Sequence, residues 1–138
     1  MSSCAFRGSL ALIAALLVGA CGTSDPASHR AAEVQAILGA HLDHENALLD
    51  ILEHNLGDAS EAEVQLARYL AEHDGAMVEL CARRRELEAD QTALATALRV
   101  LEPRMQRSFT RRMALAEKAP ALMAREKVRT ALATLDPL

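Results

Sequence analysis

Four histidines, His41, His44, His54 and His73, stand among many carboxylates, and they are the residues whose types best suit chemistry. His41 and Glu45 are four residues apart, one helical turn, so a helix carries both on one face. Gly57 marks a natural turn. His41 lies sixteen residues before it and His73 sixteen after it, so a helical hairpin brings them to a similar height. Imidazole plus carboxylate suits zinc or copper, and also nickel. His41, Glu45 and His73 are therefore the candidate metal set. A plainer reading makes His41 and Glu45 a polar pair at the edge of a core or at a dimer interface. The spacing does not decide between these. His44-Glu45-Asn46-Ala47-Leu48 lacks the second histidine of a His-Glu-x-x-His site, and Glu-x-x-His pairs of the di-iron type are missing.

Other catalytic patterns fail. The chain has no Gly-rich phosphate loop, no Gly-x-Ser-x-Gly and no Cys-x-x-Cys. Cys81 and His73 are two helical turns apart and could form a nucleophile pair, but nothing in the sequence supplies an oxyanion hole. Cys81 follows Leu80 in a helical pattern and is expected to be buried or half-buried. The chain is not expected to be an enzyme.

The elements that must position these residues are helical. Gly and Pro are sparse, and Tyr69 and Phe109 are the only aromatic residues after the first twenty positions. An Ala- and Leu-rich chain of this kind suits an aliphatic helical core. The expected fold is all-α, an antiparallel hairpin extended to a three- or four-helix bundle. Val34, Leu38, Leu42, Leu49, Leu52 and Leu56, with Ile37 and Leu48 alongside, share one arc of a helix running from about Pro26 to Asn55, capped by Asp25-Pro26 or Ser28. His41 and Glu45 fall within that arc. Gly57 is the expected stop. Ser60 and Glu63 form an apparent capping box for the next helix.

From Leu66 to Leu101 the apolar spacing alternates four and three, with polar interruptions at His73, Arg84 and Gln91. A compact bundle needs a turn within that run, either at Gly75 or in the polar stretch 86–92. Pro103 and Pro120 mark the expected later boundaries, with short helices closing the domain and Pro137 ending it.

Charge is segregated within a chain of net −4. Residues 25–79 hold twelve acidic and two basic side chains, whereas residues 103–129 hold eight basic and two acidic. Either the C-terminal helices fold back onto the acidic hairpin, or Arg104, Arg107, Arg111 and Arg112 face an anionic partner such as lipid headgroups or an acidic protein. With no aromatic residues interleaved for base stacking, nucleic acid is not an expected partner.

The N-terminus carries a different kind of signal. Arg7 precedes the apolar run Leu10–Val18, nine residues long and too short for a bilayer span of roughly 20. Val18-Gly19-Ala20-Cys21 closes the run. These residues resemble the lipobox of bacterial lipoproteins. The resemblance covers residues 1–21 only and implies diacylglyceryl transfer to the Cys21 thiol, cleavage before Cys21 and acylation of the new amine. Residues 1–20 are then a signal peptide, 21–28 a lipidated cysteine and tether, and 29–138 the helical domain. Gly22 in place of Asp leans toward the outer membrane over the inner. Several acyl chains would hold the protein firmly to a membrane, where one would be marginal.

The expectation is a lipid-anchored envelope protein, a non-enzymatic structural or interaction module that binds an envelope protein or forms a homodimer. The alternative is a periplasmic metal-binding or envelope-stress protein using His41, Glu45 and His73.

Overall fold

The computed structural model describes residues 25–135 apart from Glu88. The leader, Cys21 and Pro137 lie outside the described residues. Among the described residues five helices follow one another: α1 (Pro26–His54), α2 (Ala59–Leu87), α3 (Gln91–Lys118), α4 (Pro120–Met123) and α5 (Glu126–Ala133). No strand occurs among the described residues. The fold is the all-α bundle read from the sequence, with three long helices and two short ones. No helix among the described residues is long and apolar enough to cross a membrane.

Local chemistry sets the boundaries. The Asp25 carboxylate accepts the Ala27 N–H at 3.3 Å, and Pro26 occupies the first turn, where its missing N–H costs nothing. Residues 26–28 thus belong to α1 and not to a tether. Gly57 is not the stop, because its backbone is not in the left-handed region. Asn55 closes the helix instead, its side-chain amide donating to the Ile51 carbonyl at 2.7 Å.

The cap of α2 also differs from the sequence reading. Asp58 accepts the N–H groups of Ser60 (3.1 Å) and Glu61 (3.0 Å). Ser60 lies inside the first turn, and Glu63 pairs with Arg125 and Lys127 rather than reaching back to a cap.

The long seam breaks within the polar stretch 86–92. Asp90 caps α3 by accepting the Ala93 N–H at 3.0 Å, while Gly75 lies in unbroken helix. Pro103 does not end a helix; α3 runs through it. The reason is phase: Ala93, Ala97, Leu101, Ser108 and Leu115 are all buried and keep one helical face on both sides of the proline. Pro120 does begin a new helix, α4.

α1 is the central element, packed against both α2 and α3, which hardly touch each other. Hydrogen bonds from His44 to Tyr69 and from Asn55 to Gln65 run in opposite senses along the chain, so α1 and α2 are antiparallel. α1 and α3 are parallel. Arg104 meets Asp43 and Arg111 meets Asp50, both at 2.5 Å and both 61 residues apart.

Burial falls into two apolar clusters. One joins Val34, Ile37, Leu38 and Leu42 of α1 to Leu87, Ala93, Ala97 and Leu101. The other joins Leu48, Leu49 and Leu52 to Leu66, Leu115 and the buried faces of α4 and α5. Burying each of these leucines contributes about 1.5–3 kcal/mol. Between the clusters α1 presents His41 and Glu45.

Candidate functional site: a polar layer opening into an apolar groove

Helical periodicity gives α3 two adjacent stripes. The inner one, from Ala93 to Leu115, packs on α1. The second holds Leu94, Leu98, Met105 and Phe109 and turns toward a gap beside Leu42 and Glu45 of α1. Leu94, Leu98 and Met105 are half-buried, and Phe109 is 63 % exposed. The gap forms a groove of about 600 Å³. Leu42, Leu98, Met105 and Phe109 supply its apolar surface, with Arg99, Glu102 and Gln106 at its edge and Glu45 and Arg112 also lining it. This lies within the roughly 300–1,000 Å³ typical of small-molecule sites, where a mainly apolar wall meets a few polar groups. A smaller cavity of about 30 Å³ shares Leu42, Glu45, Leu98 and Met105 with the groove and adds His41 and Arg84.

The polar groups at the base are deeply placed. His41 is 7 % exposed, and neither ring nitrogen has a hydrogen-bond partner among the described residues. Burial, reinforced by the charge of Arg84 and then of His44, holds its pKa below the usual histidine value, so the ring is neutral at pH 7. Arg112 Nη2 lies 3.0 Å from Glu45 Oε1, with side-chain exposures of 26 % and 8 %. The contact is an ion pair without hydrogen-bond alignment, and Arg112 Nε and Nη2 both remain unsatisfied donors. The buried Ser108 hydroxyl is unpartnered as well. Buried polar atoms in native proteins rarely go without a partner, so Arg112 beside the groove and His41 beside the smaller cavity call for an explanation.

The candidate metal set is not assembled. Glu45 faces Arg112, while His73 packs with Tyr69 and His44 instead of His41. The His73 ring stacks on Tyr69 at 4.1 Å between centroids and meets His44 edge-on at 5.3 Å. His73 Nδ1 donates to the Tyr69 carbonyl, and the Tyr69 hydroxyl shares a 2.6 Å hydrogen bond with His44 Nδ1. Burial, then the charge of His73, depresses the pKa of His44, while burial raises that of Tyr69. His54 Nδ1 donates to the Asp50 carbonyl. Among the described residues no group of three or more His, Cys, Asp or Glu side chains is placed to hold a metal ion. Cys81 is half-buried, as expected, and is a free thiol.

The basic residues are not one outward-facing patch. Arg104 pairs with Asp43. Arg111 donates to Asp50, to both oxygens of Glu53 and, at 2.9 Å, to Asn46. The Arg111 hydrogen bond is the main cause of a lowered Glu53 pKa. Arg112 reaches Glu45, and Arg107 is exposed and makes no ion pair among the described residues. The segregated charges therefore meet each other, along the flank where α1 and α3 run in parallel.

Sequence reasoning found His41 and Glu45 and named Arg112 among the basic residues, but it missed the pairing of Arg112 with Glu45, the buried Ser108 and the Leu98–Met105–Phe109 stripe. A signal existed: Asp43 and Asp50 are seven residues apart, and so are Arg104 and Arg111, which is the pattern of a parallel ladder. Comparisons with known protein families, with curated proteins and with solved structures found no match to this chain.

Proposed function

We propose that this protein is a lipid-anchored component of the bacterial envelope, held through Cys21, and that its bundle is a non-enzymatic interaction module with the groove as its recognition surface. The groove carries this reading: an exposed Phe109 stands beside half-buried Leu98 and Met105, over a base of buried polar groups. Apolar surface left uncovered beside specific polar groups is the usual composition of a recognition site. Anchoring rests on Val18-Gly19-Ala20-Cys21 and the apolar run before it. The start of α1 at Pro26 adds a geometric consequence. Only residues 22–25 separate it from Cys21, a reach of about 18 Å at full extension, which keeps that end of the bundle close to the membrane surface.

The metal-binding alternative has lost its ligand set, and the arginines turned onto α1 leave little for an acidic protein to meet. The test is a photoreactive phenylalanine analogue at position 109 of the full chain expressed in a bacterial envelope, with the same analogue at the exposed Val78 of α2 as control. Discrete adducts from position 109 and none from 78 are expected. Equal labelling from both positions would contradict the groove as the recognition surface.

A further inference from the structure

The seam between α1 and α2 carries two imidazoles side by side. His44 and His73 come from different helices, and their ring centroids lie 5.3 Å apart at an interplanar angle of 73°. Both residues are half-buried, so the pair is reachable from solvent. In each ring Nδ1 is engaged. That of His73 donates to the Tyr69 carbonyl at 2.9 Å, and that of His44 shares a 2.6 Å hydrogen bond with the Tyr69 hydroxyl. A histidine whose Nδ1–H donates to an oxygen keeps its lone pair on Nε2, which is the usual support of a metal-bound imidazole. His44 reaches the same state when its Nδ1–H donates to the Tyr69 hydroxyl oxygen.

The spacing selects among cations. With a metal–nitrogen bond of about 2.0–2.1 Å, the ion sits about 3.2 Å from each ring centroid, so two imidazoles on a tetrahedral ion have centroids about 5.2 Å apart, against about 4.5 Å for adjacent positions on a square-planar ion. The observed 5.3 Å matches the tetrahedral case. Burial, then the charge of His73, depresses the His44 pKa, so at pH 7 that ring offers a lone pair without first losing a proton. Asp43, whose charge acts on both His44 and Tyr69, is engaged by Arg104.

We propose that His44 and His73 form an open two-imidazole site for a tetrahedral divalent cation of the zinc class, which clasps α2 onto α1. Water or a donor from another molecule fills the remaining positions, so the ion is exchangeable, unlike that of a closed four-ligand structural site. Tyr69 is a positioning residue. Its hydroxyl holds the His44 ring, its carbonyl holds the His73 ring, and its own ring stacks on His73 at 4.1 Å. A clasp has an effect here because α2 packs on α1 and α5 and hardly on α3. None of the three residues lines the groove or the smaller cavity, so the site is separate from the recognition surface and shares only His73 with the set His41, Glu45 and His73.

The experiment uses the full chain with Cys4, Cys21 and Cys81 replaced by serine, so that no thiol competes for metal. Zinc chloride is titrated calorimetrically at neutral pH. Saturable binding of one ion per chain is expected. His44→Gln and His73→Gln should each weaken it by at least about tenfold, since even the outer partners of metal ligands are worth about 10–100-fold. Tyr69→Phe should weaken it several-fold, whereas His41→Gln and His54→Gln should leave it unchanged. Zinc should raise the melting temperature of the parent and not that of the protein carrying both His44→Gln and His73→Gln. Where a histidine variant fails to melt cooperatively, nitrogen NMR of the parent imidazoles decides: zinc should shift Nε2 of His44 and of His73. Shifts confined to other histidines, binding that survives the double replacement, an equal loss from His54→Gln, or no saturable binding by protein that melts cooperatively would overturn the proposal.

Discussion

Breaking the Glu45–Arg112 pair should show how deeply this polar layer is built into the fold. Removing one member of a buried pair generally costs about 3–5 kcal/mol, because the other charge is left without compensation. The two ends differ in burial, so the costs should differ. With Arg112→Leu, Glu45 remains at 8 % exposure with no way out, and a cost of about 3 kcal/mol follows. With Glu45→Leu, the Arg112 side chain, already 26 % exposed, can swing its head into water, and about 1–2 kcal/mol follows. The double replacement by leucine removes both desolvation penalties and should lie within about 1 kcal/mol of the parent, or above it, giving a coupling of about 3 kcal/mol or more. Urea unfolding with linear extrapolation measures all four proteins. Additive single effects, or a larger cost for Glu45→Leu than for Arg112→Leu, would refute the reasoning.

Asp58→Ala should cost about 1–2 kcal/mol, because the carboxylate accepts two first-turn N–H groups, whereas Ser60→Ala should stay within about 0.5 kcal/mol; the two urea midpoints decide which residue is the cap. Pro103→Ala restores a missing N–H in the middle of α3 and should stabilise by about 1–3 kcal/mol, seen as a higher melting temperature; a loss of stability would mean that the helix is shaped around the proline. Stability should fall as pH drops through the usual histidine value of about 6.5. His41 and His44 have depressed pKa values, so the folded protein binds fewer protons there than the unfolded chain. Further loss should follow at lower pH as Glu33, Glu53 and Glu63 protonate, since arginine hydrogen bonds hold their pKa values down. Titration of the urea midpoint from pH 8 to 4 checks the sign, and His41→Gln should flatten the upper part of the curve.

Much of the helical framework was legible because burial in a bundle follows a 3.6-residue repeat that any amphipathic run displays. Val34, Leu38, Leu42, Leu49 and Leu52 share an arc whatever packs against it, whereas Leu56, placed on the same arc by its spacing, lies past the Asn55 cap and is 44 % exposed. The turn between α2 and α3 was legible as polar composition in the stretch 86–92, since a turn must be solvated. Pro103 was misread because a proline stops a helix only where packing does not hold it, and here Leu101 and Ser108 stay buried in phase on either side. Ser60 was misread because Asp58 offers the same capping chemistry two residues earlier.

The site was half legible. That His41 and Glu45 would be buried followed from their arc. Their neighbours depend on the parallel pairing of α1 with α3, which periodicity along one helix does not encode. The height match between His41 and His73 ignored rotation about the helix, and the His73 ring meets His44 and Tyr69 instead of His41. His44, three residues farther on, points at α2, and His41 points into the gap.

Attachment through Cys21 is the claim on which the placement of this protein depends, and intact mass spectrometry of the protein purified from bacterial membranes tests it most directly. A mature N-terminus at Cys21 carrying acyl chains is the predicted result. A chain that retains residues 1–20, or one cleaved there with an unmodified Cys21 thiol, would contradict it.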